Sequence, residues 1–197
     1  MPKISAERKQ ERRAEIIAAA MRCFGRTGYQ RTSMADIIAE SGLSAGAIYG
    51  YFAGKQELLE AVAGTVLGER IAEIGVESDG GIAPRSPREL ALMTIRGLRQ
   101  IPTLPLLVQT WGEAVTDPVL RILVGRLFPE VRQVFVRSMT RWRRAQPDPA
   151  PADPEEWAEG MALLIVGLVQ GAAVQSALLE DFDAERYLRA IGDTLPG

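Results

Sequence analysis

Wherever apolar residues recur in this chain, they recur with the 3.6-residue beat of a helix. No stretch alternates apolar and polar positions with the Val, Ile and Thr enrichment of a strand, so the sequence predicts an all-α fold. Over residues 6 to 27, Ile16, Ile17, Ala20, Met21 and Phe24 form one stripe, with Arg12, Arg13, Glu15 and Arg22 off it. Gly28 ends that helix. Thr32 or Ser33 offers a capping hydroxyl to a short helix over 34–40, with Asp36 in its first turn, and Gly42 stops it. Ser44 caps a third helix over 45–51, and Gly54 separates it from a long fourth over about 55–74. Further helices are expected at 87–100, 104–115, 119–144, 154–179 and 183–195, about nine in all. Pro129 should kink or break the seventh. The Gly- and Pro-rich stretches 75–88 and 147–154 read as loops.

The chain has no His and a single Cys, Cys23. That excludes zinc fingers, His-based nucleophile pairs and an internal disulfide, and it implies neither metal nor cofactor. Cys23 borders the apolar stripe of the first helix and reads as a small buried thiol. The opening MPKISAERKQERR is basic but lacks the apolar stretch of a secretory signal. The most apolar segment, 161–179, is interrupted by Gly167, Gln170, Gly171, Gln175 and Ser176. A cytoplasmic protein with no membrane partner is the expectation.

Charge is distributed unevenly although the net charge is only −2. Residues 1–55 carry nine Lys and Arg against five acids, net +4, leaving −6 on the remainder. A basic head before an acidic body points to an anionic partner for the head alone.

The basic head holds the informative pattern, Thr32 to Leu59: two short helices joined through Gly42, the second opening with small residues. This is helix-turn-helix spacing. Ile37, Ile38, Ile48 and Phe52 supply the crossing contacts and Leu43 plugs the turn. Ser44, Ala45, Ala47, Tyr49 and Tyr51 are left to face outward, where a recognition helix presents its early residues to base edges and phosphates.

At these positions the chain resembles the TetR family of bacterial transcriptional regulators. The residues that carry the resemblance are Gly28 and Tyr29, Thr32 and Ser33, Ile38 and Ala39. The run G-x-S-x-G-x-I-Y-x-Y-F-x-x-K-x-x-L from Gly42 to Leu58 follows them. The close likeness covers about Arg8 to Leu59. It implies that Ser33 and its helix N-terminus hold a phosphate, that Tyr49 and Lys55 contact the DNA backbone, and that Ala45, Ala47 and Tyr51 face the groove. Gly46 would allow close backbone approach. The expected DNA-binding set is therefore Arg31, Thr32, Ser33, Ser44, Ala45, Gly46, Ala47, Tyr49, Tyr51 and Lys55. Positions 45, 47 and 50 are Ala, Ala and Gly, with no side chain able to make a bidentate base contact. Readout would then rest on thymine methyls, Tyr51, Arg31 and the basic arm Lys3 to Arg13 in a minor groove.

The resemblance further implies a helix-turn-helix domain over 1–54 and a ligand-binding and dimerisation domain over 55–197. Arg96, Trp111 and Glu113 are candidate ligand residues, the last two suited to a cationic molecule. The apolar helix at 154–179 offers a dimer face through Trp157, Met161, Leu164, Leu168 and Gly171. The expected function is a repressor that binds a palindromic double-stranded DNA operator as a homodimer and is released by a small-molecule effector. The alternative is a helical adaptor or small-molecule-binding protein without sequence-specific DNA binding. An enzyme is disfavoured for want of His, paired carboxylates or a phosphate loop.

Overall fold

The computed structural model describes residues 6–75, 83–101, 104–147 and 153–197, so Lys3 of the expected basic arm lies outside the described residues. Among the described residues there are nine helices and no strand: α1 (Ala6–Thr27), α2 (Met34–Ser41), α3 (Ala45–Tyr49), α4 (Lys55–Gly75), α5 (Pro87–Arg99), α6 (Leu104–Ala114), α7 (Pro118–Ala145), α8 (Pro154–Leu178) and α9 (Ala184–Thr194).

Local chemistry sets most of the helix ends. Gly28 adopts φ 78°, and its amide donates back to Phe24 O at 2.8 Å, closing α1. Ser33 rather than Thr32 caps α2. Its hydroxyl accepts from Asp36 N at 3.2 Å while the Asp36 carboxylate accepts from Ser33 N at 2.7 Å, a reciprocal box. Gly42, at φ 66°, turns the chain out of α2. Ser44 caps α3 by accepting from Ala47 N at 3.2 Å. Ser86, Asp153 and Asp183 cap α5, α8 and α9 in the same manner.

The chain divides into two compact units, Met1–Val66 with Pro105–Arg121, and Leu67–Leu104 with Ile122–Gly197. In the first, α1 packs across α2, and the fully enclosed side chains include Ile16, Phe24, Ile37, Ile48, Phe52, Leu58 and Leu120. Cys23 is buried among them, and burial pushes its thiol up from its ordinary value. In the second unit α5 packs on α8 and α9 around Leu90, Ile95, Phe135, Met139, Ile165, Leu188 and Ile191. Trp142 stacks on Trp157 with ring centres 5.7 Å apart. The guanidinium of Arg88 and its amide hold Leu195 O and Pro196 O, tying the chain's end to α5.

Of the kink or break expected at Pro129 the break is absent, and the reading of the apolar segment 161–179 needs correction. α7 runs unbroken through Pro129. The carbonyl that loses its donor belongs to Gly125, and both residues are exposed, so that carbonyl is not sealed in the core. By length and composition α8 is also long and apolar enough to cross a membrane, its internal glycines notwithstanding. In this fold its Ala158, Ala162 and Ile165 are wholly enclosed by protein.

Candidate nucleic-acid interface

The recognition helix is short and anchored at one point. Ile48 is fully buried while its neighbour Tyr49 is 52% exposed, so one residue pins α3 and the next stands clear. Ser44, Ala45 and Gly46 are exposed and Ala47 half-buried, forming an apolar, small-residue tip. A Cβ built on Gly46 would meet nothing within 4 Å. Glycine there is not demanded by the protein's own packing. It leaves the backbone open to an external surface.

Around this tip the expected contact residues separate into those that face out and those engaged within the protein. Arg31 is exposed, with its Nε donating to Thr27 O at 2.9 Å. Ser33 is exposed, but its amide and hydroxyl both bond the Asp36 carboxylate at 2.7 Å. Those bonds hold the Asp36 carboxyl below the usual carboxylate range. A phosphate arriving at the α2 N-terminus meets a carboxylate already seated there. Thr32 does not face outward: it is 2% exposed, and its hydroxyl donates to Gly28 O at 2.7 Å. The same hydroxyl lies 2.8 Å from that of Thr27. It is a core polar residue of the α1–α2 turn.

Lys55 is half-buried. Its Nζ donates to Tyr29 O at 2.9 Å and to Gln30 O at 3.3 Å, and it sits 4.4 Å from the Tyr29 ring centre. Tyr51 is half-buried rather than aligned with the α3 tip. It lines a groove of about 530 Å³ beside α1, together with Lys9, Arg13, Ala14, Ile17 and Ala18. Arg13 lies over the Phe52 ring at 5.2 Å. Other α1 charges are neutralised locally: Arg12 pairs with Glu15, and Arg22 and Arg26 both pair with Glu40 of α2, each at 2.7 Å.

The ligand candidates divide between the two units. Arg96 is exposed on α5. Trp111 and Glu113 are half-buried on α6 in the first unit, where Glu113 Oε1 accepts from Gln109 at 2.9 Å. Gln109 lies directly on the α1–α2 turn: its Nε2 would be 2.1 Å from a Cβ placed on Gly28. The side chain of Gln30 in that turn donates to the Asp117 carboxylate. Sequence reasoning missed Gln30, Gln109 and Asp117. The signal available was the i, i+4 polar pair Gln109 and Glu113 on a largely apolar α6, with Asp117 four residues further on.

On α8 the expected dimer residues also divide. Trp157, Met161 and Leu168 are partly buried against the core of their own unit. Gly171 makes room for Tyr187: a Cβ there would meet its hydroxyl at 3.0 Å, and that hydroxyl donates to Leu168 O at 3.0 Å. Leu164 is 58% exposed, and Leu163, which the pattern did not single out, is 55% exposed. Gly160 and Gly167 flank them with open space around their backbones. Among the described residues no cluster of metal-ligating side chains is present.

Residues 16–62 match the family described as bacterial regulatory proteins, tetR family, and residues 98–196 match the C-terminal region of BetI-type transcriptional repressors. The regulator BetI of Burkholderia thailandensis is 27% identical over 196 residues, covering 98% of this chain and 95% of that one. The regulator TtgR of Pseudomonas putida is 45% identical over 62 residues, 32% of this chain and 30% of its own length. The chain thus spans about a third of the length of TtgR. A TetR-family regulator from Syntrophomonas wolfei superposes with a TM-score of 0.75 at 18% identity, over 94% of this chain and 93% of its own. A transcriptional regulator from Saccharomonospora viridis, solved in complex with choline, gives 0.68 at 18% identity over 93% and 95%. With half of the chain matched by one profile and the helix-turn-helix by another, this protein belongs to the TetR family of bacterial transcriptional regulators, not to a family of enzymes.

Proposed function

We propose that this chain is a ligand-responsive repressor that binds a palindromic operator as a homodimer and lets go when a small molecule occupies its body. The observation that carries the reading is the α3 tip: Ser44 to Gly46 and Tyr49 stand exposed on a helix pinned by the fully buried Ile48. In this reading residues 1–54 are the DNA-binding domain. Ser44, Ala45, Gly46, Ala47 and Tyr49 enter a major groove, and Arg31 flanks it on a phosphate, while Ser33 holds the α2 cap. Lys55 offers a phosphate the donor its two carbonyls leave over, and Tyr51 acts with Lys9 and Arg13 where α1 meets the backbone.

The exposed stripe Gly160, Leu163, Leu164 and Gly167 on α8 supports a two-fold helical interface between copies. Such a pair would set its two heads about 34–36 Å apart, one turn of DNA. The BetI-type match and the choline carried by one fold neighbour support a small organic effector, with Trp111 as its aromatic contact. Arg96 is the weaker ligand candidate because it faces solvent, and Glu113 belongs to a different contact. The cytoplasm is the compartment in which this reading places the protein.

The test is enrichment of duplexes from a random pool by the full-length protein, followed by anisotropy titration against salt. A repressor of this type enriches an inverted repeat with one-turn spacing, and its affinity falls steeply with salt. Choline is the first effector to titrate. An adaptor without DNA binding enriches nothing.

A further inference from the structure

We infer that Gln109, Glu113 and Asp117 form a polar latch by which a displacement of α6 is passed to the α1–α2 turn and so to the recognition helix. The inference rests on the repressor reading above and adds the residues that would couple effector to operator. Gln109 and Glu113 stand four apart on one side of α6, and Asp117 follows just beyond its C-terminus, at the start of α7. Gln109 and Asp117 each meet the turn Gly28–Tyr29–Gln30. The Gln109 amide lies on the Gly28 backbone so closely that no side chain fits between them. It is held in place by Glu113 Oε1 at 2.9 Å. Gln30 donates to the Asp117 carboxylate, which also accepts from Val119 N at 2.7 Å at the start of α7.

The turn cannot yield independently when α6 moves. Lys55 of α4 grips the carbonyl oxygens of Tyr29 and Gln30, and the Thr32 hydroxyl grips that of Gly28. A push from α6 therefore reaches Ser33, the cap of α2, and through α2 the paired helix α3. One member of the latch is only half satisfied: Glu113 Oε2 is buried with no hydrogen-bond partner among the described residues. A buried acceptor without a donor raises the energy of this arrangement and favours any alternative that supplies one.

The experiment uses full-length protein with a duplex that it enriches from a random pool. Hydrogen exchange by mass spectrometry follows the peptide covering residues 104–121. In the wild type, saturating duplex slows exchange in that peptide although it lies outside the helix-turn-helix. Gln109→Ala and Gln30→Ala each keep duplex affinity within about threefold but lose more than about half of that slowing. Asp117→Asn, which keeps a carbonyl acceptor and the α7 cap, behaves as wild type. Should Gln109→Ala melt early, Gln30→Ala, which removes an exposed side chain, carries the test. Absence of any DNA-dependent slowing in the wild type overturns the latch alone. So does slowing that survives undiminished in the Gln30→Ala, Gln109→Ala double variant. A protein that enriches no duplex overturns the operator reading and the latch with it.

Discussion

Lys55 donates from Nζ to the carbonyl oxygen of Tyr29 at 2.9 Å, and the same ammonium lies 4.4 Å from the centre of the Tyr29 ring. With a second bond to Gln30 O, two of its three N–H donors serve the fold and one remains for a phosphate. Both roles should be visible in one substitution. Lys55→Met is expected to lower stability by about 1–2 kcal/mol in urea titration, since bonds from a charged donor are strong but this one is partly open to water. It should also reduce the slope of log affinity against log salt by about one. An unchanged slope beside lowered stability would assign Lys55 to the fold alone.

Thr32 sits in the same turn and is the more drastic test of its rigidity. Its hydroxyl bonds Gly28 O at 2.7 Å in a site that is 2% exposed. Thr32→Val keeps the shape and removes the donor, leaving Gly28 O and the Thr27 hydroxyl to find other partners. The expected loss is about 1–2 kcal/mol by thermal or chemical unfolding, with Thr32→Ser restoring most of it. If Thr32→Val instead weakens DNA binding at full stability, the hydroxyl belongs to the interface after all.

The helices were legible because their ends are encoded locally. Ser33, Ser44, Asp153 and Asp183 cap where the sequence places a hydroxyl or carboxylate, and Gly28 and Gly42 take the positive φ that the helix stops require. α3 ends at Tyr49 rather than at 51, and Tyr51, in the turn that follows, lines the groove beside α1. The helix-turn-helix was legible for the same reason: it is a local pattern of caps, a glycine turn and two anchoring isoleucines. What the sequence concealed depends on partners remote along the chain. The spacing of 109, 113 and 117 does not say that Gly28 lies opposite, and the Lys55 motif does not say that its ammonium faces two carbonyls. On α8, apolar on nearly every side, periodicity cannot separate the face against its own core from the face left open. Periodicity alone therefore groups Trp157, Met161 and Leu168 with Leu164 and does not single out Leu163.

That division of α8 gives an assembly prediction. Leu163 and Leu164 are more than half exposed, so the double variant Leu163→Glu, Leu164→Glu should fold with wild-type helicity and melting but sediment as a single chain. On a duplex with two half-sites it should bind at least about a hundredfold more weakly, because the second head no longer arrives tethered to the first. Trp157→Ala is the contrast, since its ring stacks on Trp142 within the same chain. It should lower stability by about 2–4 kcal/mol. A double variant that still sediments as a dimer would place the interface elsewhere.

The pairing of α1 with α2 should be acid-sensitive through Glu40. Its two carboxylate oxygens accept from Arg22 and Arg26 at 2.7 Å each, and these bonds hold its carboxyl below the usual range. Asp36, bonded by the Ser33 hydroxyl and amide, is shifted the same way. A carboxyl whose pKa is depressed by folding contributes stability that is complete above the unfolded value of about 4. As pH falls the unfolded chain takes up protons first, so this stability declines from just above that value and is gone below the folded pKa. Urea midpoints measured between about pH 6 and pH 3 should therefore fall less steeply for Glu40→Gln than for wild type, with the variant already weaker at pH 6. Parallel curves for the two proteins would mean that the Arg22–Glu40–Arg26 cluster, exposed as it is, is screened by solvent and adds nothing to the α1–α2 contact.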